Sequence, residues 1–242
     1  LVSPFMENGT VMEHLERNPS SEVNRFKMIT GIAYGMQYLH SRNFIHGNLQ
    51  GSNVLLTSTS PPRPVLSGFG LTKLKHDTLS RSTDQAFISR VLHSPAAVGE
   101  RRWMAPERLG LGKVSRAVDV WSFGCTVHEI LTGRPPFDDL DPATIRKHIL
   151  GARNTPISTH LPVPPHLLSL SKGQVPSPPS SQIDDDAEPL TTWPTDVGFP
   201  AFEGAPQPPL IFHPYYSTGI RRLVEGCWSH EPASRPNFDA IT

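Results

Sequence analysis

Residues 44–56 read Phe44-Ile45-His46-Gly47-Asn48-Leu49-Gln50-Gly51-Ser52-Asn53-Val54-Leu55-Leu56, a polar loop held between two short apolar runs. The polar side chains of the loop are all neutral near physiological pH apart from the histidine, and three are primary amides, Asn48 and Gln50 close together and Asn53 beyond them. An amide offers a carbonyl oxygen and two N–H donors but no basic lone pair, so Asn48 orients a hydroxyl without accepting its proton. The apolar run Val54-Leu55-Leu56 is followed, after Ser, Thr and Pro residues, by Pro64-Val65-Leu66. That pattern predicts a hairpin directly behind the loop.

Helices are expected on either side. Residues 20–41 carry Val23, Phe26, Ile29, Ala33, Met36 and Leu39 at spacings of three and four, with Ser20 or Ser21 available as cap. Residues 116–132 are apolar around most of a helical surface, through Val118, Trp121, Cys125, Ile130 and Leu131, and so belong in the middle of a domain. Gly133-Arg134-Pro135-Pro136 closes that helix. A further helix is expected from about 217 to 228.

Other short motifs recur in a fixed order after the loop. Ser67-Gly68-Phe69-Gly70-Leu71 comes first, then Arg102-Trp103-Met104-Ala105-Pro106-Glu107-Arg108. Asp119-Val120-Trp121-Ser122-Phe123-Gly124 follows, and Cys227-Trp228 precedes Arg235-Pro236. Taken together, these signatures resemble the C-terminal lobe of a eukaryotic protein kinase, whose catalytic loop has the form H-x-D-L-K-x-x-N. The wording around 102–107 and 227–236 is similar to the tyrosine-kinase-like group, and H-G-x-L-x-G-x-N to its fungal members.

The resemblance implies a mainly α (α+β) fold, a helical bundle with short β-hairpins at the catalytic loop. Residues 1–10 would be a hinge remnant and 11–151 the lobe, with catalytic loop 44–53, activation segment 68–107 and central helix 116–132. Residues 215–242 would be the last helices, truncated. Neither a glycine-rich loop nor a V-A-I-K lysine precedes Leu1, so the first lobe is expected to be absent and the chain a segment of a longer protein. Scaffold roles fall to His46 bracing the loop near Phe69 and Gly70, to Asp119 binding loop N–H groups, and to Glu107 pairing with Arg235. Chemical roles are degraded. Asn48 stands at the proton-acceptor position and Gln50 at the charge-clamp position. Gly68 stands where a carboxylate would bind metal, and Asn53 is retained as second metal ligand. ATP and Mg²⁺ are implied by the family alone, and no cofactor is expected for this segment. The resulting expectation is a catalytically impaired pseudokinase acting as an interaction or allosteric module, with an active Ser/Thr or Tyr kinase using a compensated mechanism as the alternative. A decayed product without a folded role stands third. Gly47 replaces the Arg that grips an activation-loop phosphate in many kinases, so the seven Ser and Thr residues between Thr72 and Ser94 read as a solvated loop ahead of a regulatory site.

Composition is consistent with this reading. The 242 residues are 37% hydrophobic and 18% charged, with 22 basic and 22 acidic side chains cancelling. A nucleic-acid or anionic-membrane partner would need a basic excess, and no apolar run reaches the roughly 18 residues of a membrane span. Without a signal peptide at Leu1, a cytoplasmic location is expected, and Cys125 and Cys227 read as buried free thiols. Residues 152–214 hold 14 of the 26 prolines and the run Asp184-Asp185-Asp186, so they read as a flexible insertion with too little apolar surface to offset ordering. Within it, Pro176-Ser177-Pro178-Pro179 and Pro206-Gln207-Pro208-Pro209 suit SH3- or WW-type domains, against the plainer reading of a passive linker. Protein partners are expected there, or at the activation segment and a helix near 140–150.

Overall fold

The structure, a computed structural model, describes residues 4–18, 24–69, 73–74, 100–111, 114–151 and 217–242. The expected insertion over 152–214 lies outside them, as do Gly70 and most of the segment up to Glu100.

Helix α1 (Val11–Arg17) opens on a capping box. The Thr10 hydroxyl accepts from the Glu13 N–H, and the Glu13 carboxylate accepts from the Thr10 N–H at 2.8 Å. Helix α2 spans Arg25–Ser41, later than the expected start. Its cap is Asn24, whose side chain accepts from the Lys27 N–H, so the expectation of a Ser20 or Ser21 cap is corrected. The stripe shifts with it: Met28, Ile29, Ile32, Ala33 and Met36 are buried, whereas Phe26 is 39% exposed. The loop then carries β1 (Phe44–Ile45), a 3₁₀ turn at Gly51–Asn53 and β2 (Val54–Leu56). β2 pairs antiparallel with β3 (Pro64–Leu66), Leu55 opposite Val65, which is the expected hairpin. β1 pairs antiparallel with β4 (Lys73–Leu74).

A 3₁₀ turn at Arg101–Trp103 leads into α3 (Pro106–Leu111) and α4 (Arg116–Thr132). Every residue of α4 from Val118 to Leu131 is buried, Asp119 and Glu129 included, which places this largely apolar helix in the middle of the core. It ends at Gly133, whose φ of 70° is a left-handed cap that glycine adopts without steric cost. Helices α5 (Pro142–Gly151), α6 (Thr218–Cys227) and α7 (Phe238–Ile241) complete the described residues.

The main core gathers α1, α2, β2, α4, α6 and α7 around Trp121, Phe123, Trp228 and Phe238. Truncating one such fully buried aromatic to Ala typically costs about 3–5 kcal/mol. A smaller cluster of Met104, Leu109, Phe137, Ile145 and Ile149 joins α3 to α5. Both cysteines are buried free thiols, and burial pushes both above their ordinary pKa. Among the described residues, no helix is long and apolar enough to cross a membrane.

Candidate functional site

The loop from His46 to Asn53 is fixed from below by α4. Asp119, fully buried, accepts from the His46 N–H at 2.9 Å and the Gly47 N–H at 2.7 Å. His40, at the end of α2, bonds the same carboxylate through Nε2 at 2.8 Å. His46 reaches across to the next strand: its Nε2 lies 2.8 Å from the Ser67 carbonyl, and its Nδ1 faces the Asn48 N–H at 3.2 Å. A carbonyl at Nε2 and an N–H at Nδ1 together select the neutral tautomer protonated on Nε2. Burial acts the same way, holding His46 below the usual histidine pKa despite Asp119 and the Ser67 carbonyl. Its ring sits against Phe69, centroids 5.2 Å apart.

A second carboxylate of α4 was not singled out from sequence. Glu129 Oε2 accepts from the Gly51 N–H and from Trp103 Nε1, each at 2.9 Å. It therefore ties the 3₁₀ turn of the loop to the turn ahead of α3. A Cβ on residue 51 would lie 2.9 Å from that oxygen and 2.6 Å from Met12, so glycine is what lets the carboxylate reach the backbone. Burial raises the Glu129 pKa to about 7, against the opposing pull of its two hydrogen bonds. The glycine at 51 in the loop was the available signal.

Glu107 and Arg235 meet across 128 positions of sequence. Arg235 Nη1 donates to Glu107 Oε1 at 2.7 Å and Nη2 to Oε2 at 2.9 Å, a forked pair. Nε and Nη1 also donate to the Ser229 and Ala117 carbonyls, and the guanidinium lies over the Trp121 ring. This pair bolts the start of α3 to the segment before α7.

The upper face of the loop has a different chemistry. Asn48 is half-buried, Gln50 is buried, and Asn53 Nδ2 donates to the Asn48 carbonyl at 2.7 Å. Gly68 faces Asn53 at φ 76°. A Cβ at residue 68 would fall 2.5 Å from Asn53 Cγ, 2.7 Å from Oδ1 and 2.8 Å from Nδ2. The Asn53 carboxamide thus fills the volume that a side chain at 68 would need. A hard dication requires several oxygen ligands, most of them charged. Asn53 and Gly68 together supply one neutral amide oxygen, and the space for another ligand is taken. These residues do not fit a Mg²⁺ site. Among the described residues no group of three or more His, Cys, Asp or Glu side chains converges as a metal cage.

The structure brings together His46, Asn48, Gln50, Asn53, Gly68, Phe69 and Asp119, and separately Glu107 with Arg235. Gly70 lies outside the described residues.

Comparison with known proteins follows this geometry. The model of one family, the protein kinase domain, matches residues 1–242. Mitogen-activated protein kinase kinase kinase 13 of Mus musculus is 41% identical over 135 residues, 56% of this chain and 12% of that protein. MAP3K epsilon protein kinase 1 of Arabidopsis thaliana is 32% identical over 164 residues, 66% of this chain and 11% of that protein. A Dictyostelium discoideum protein named "Probable serine/threonine-protein kinase" is 30% identical over 158 residues, 65% of this chain and 29% of that one. The chain spans a small fraction of the length of each.

Proposed function

The chain belongs to the protein kinase domain family, and on that premise we propose that it is a pseudokinase lobe, a kinase fold retained as an interaction or allosteric module in signalling. One observation carries the reading. Asn53 occupies the volume that a side chain at residue 68 would need, so the metal-ligand side chain is absent and its place is crowded. Asn48 adds to it, because a carboxamide takes no proton from a substrate hydroxyl, and losing a general base costs about 10²–10⁴ in rate. Gln50 withdraws the positive charge that would otherwise face a transferring phosphoryl. The wording of the motifs supports assignment to the tyrosine-kinase-like group, in its fungal branch. The cytoplasm is the proposed location, with protein partners at the α5 surface, the segment from 68 to 107 or the prolines of 152–214, and neither nucleic acid nor membrane.

The test is a phosphotransfer assay on the full-length protein with ATP and Mg²⁺. No turnover above background is expected. Robust turnover that disappears on Asn53→Ala would overturn the reading. It would favour the second one, an active Ser/Thr or Tyr kinase with a compensated mechanism; the relatives carry kinase names, and one of them is named a probable serine/threonine-protein kinase.

A further inference from the structure

A cavity of about 330 Å³ opens where the last turns of α2, the first turn of α4 and the start of α7 meet. That volume lies at the lower end of the roughly 300–1,000 Å³ usual for small-molecule sites. Opposite charges line it: Arg116, the first residue of α4, and Asp239, on α7. They are not spent on each other. Arg116 Nη2 donates to the His40 carbonyl and, at 2.8 Å, to Asn43 Oδ1, so Nε and Nη1 make no bond among the described residues. Asp239 Oδ1 accepts from Gln37 Nε2 at 3.1 Å, and Oδ2 has no bond among them either. Between the two charges the lining includes the apolar Val120 and Phe238.

The cavity also reaches the group that fixes the loop. His40 lines it, with Nε2 turned onto Asp119 at 2.8 Å and the ring held edge-on by Phe238, centroids 5.0 Å apart. A neutral imidazole that donates from Nε2 keeps Nδ1 as an acceptor, and Nδ1 makes no bond among the described residues. Asp119 in turn takes the His46 and Gly47 N–H groups, so one residue separates the cavity from the carboxylate that shapes the loop. A simple anion here would face Asp239, and a simple cation would face Arg116. Like charges set against each other disfavour either one. A ligand with a donor-rich cation at one end and a carboxylate at the other meets every open group.

We propose that this cavity binds a small zwitterion of the α-amino-acid type. Its carboxylate lies on Arg116, its ammonium is shared by Asp239 and His40 Nδ1, and an apolar side chain covers Val120 and Phe238. Occupancy pins His40, and through Asp119 it tightens the loop at His46 and Gly47. None of Asn48, Gln50, Asn53 and Gly68 lines the cavity, so the site stands apart from the pseudokinase reading.

Titration calorimetry and thermal melts of the full chain with L-leucine test it, up to about 10 mM, or ten times a millimolar Kd. Leucine is expected to bind and to raise Tm by about 3–6 °C at the top of that range. N-Acetyl-L-leucine lacks the ammonium and L-leucinamide lacks the carboxylate, so each should raise Tm much less. These two comparisons need no variant. Asp239→Asn keeps an oxygen for Gln37 and should weaken leucine binding about tenfold, by removing the charge that meets the ammonium. Arg116→Lys, which keeps the positive charge and secures a folded variant, should weaken it less. Amide hydrogen exchange at His46 and Gly47 should slow when leucine is added to the unsubstituted chain, and should change little in Asp239→Asn. No binding of leucine would overturn the proposal. So would equal responses to leucine and its two derivatives, or equal affinity in Asp239→Asn. Binding that leaves exchange at His46 and Gly47 unchanged would overturn the link to the loop.

Discussion

The two faces of one loop differ in kind. The lower face is held by charge: Asp119 takes two loop N–H groups and His40, and Glu129 takes the Gly51 N–H and the Trp103 indole. The upper face is built from neutral amides, with Asn53 donating to the Asn48 carbonyl and filling the space above Gly68. The lower bonds to the loop itself come from its backbone N–H groups, which any sequence with the same fold presents. The upper positions depend on side-chain identity. A loop therefore keeps its shape while losing its chemistry, because shape and chemistry are carried by different atoms.

Variants that break the charged scaffold, the Glu107–Arg235 pair included, should cost most. Arg235→Met strands the Glu107 carboxylate at a mostly buried site and is expected to lose about 3–5 kcal/mol in urea unfolding. The paired change Glu107→Leu should recover part of that loss, since no charge is then left unpaired. Undiminished stability in Glu107→Leu alone, which strands Arg235, would contradict this account.

Glu129 gives the comparison a pH dependence. Its folded pKa, near 7, is raised above the ordinary glutamate value of 4.5. Between those values the folded chain binds the proton that the unfolded chain has released. Stability from this group is thus present at low pH and declines as pH rises through 7, by at most about 1.4 kcal/mol per pH unit. Glu129→Gln should flatten that slope while keeping one amide oxygen for the Gly51 and Trp103 donors. Unfolding curves across this pH window check it, and an unchanged slope in the variant would place the dependence elsewhere.

The upper face should respond less, and locally. Gly68→Ala forces a methyl into Asn53 and is expected to cost about 1–3 kcal/mol, with much of the steric part relieved in an Asn53→Gly background. A thermal melt of the four chains in that cycle measures it; additive losses would show that Asn53 is not the obstacle. Gly68→Asp faces the same obstacle and should create no Mg²⁺ site by itself. Asn48→Ala, whose backbone carbonyl rather than side chain holds Asn53, should change stability by less than about 0.5 kcal/mol.

Much of the fold was legible because hydrophobic period and turn chemistry are local. The α4 stripe, its Gly133 cap and the 54–66 hairpin follow from neighbours in the chain. Helix α1 was overlooked although Thr10 and Glu13 spell a capping box, since its seven residues carry too short a period to stand out. The start of α2 was misplaced because serines at 20 and 21 compete with Asn24 as caps, and only the bond from Lys27 decides between them.

The sequence by itself determined the residue chemistry: amides at 48 and 50, no carboxylate at 68, no side chain at 47. It also placed Glu107, Asp119 and Arg235 in the order that marks the family. The tertiary structure alone decided what those absences became. Asn53 fills the space over Gly68, and Glu129 reaches the loop backbone at Gly51. Contacts of this kind join residues far apart in the chain, and whether an emptied position stays open or is refilled depends on packing in three dimensions.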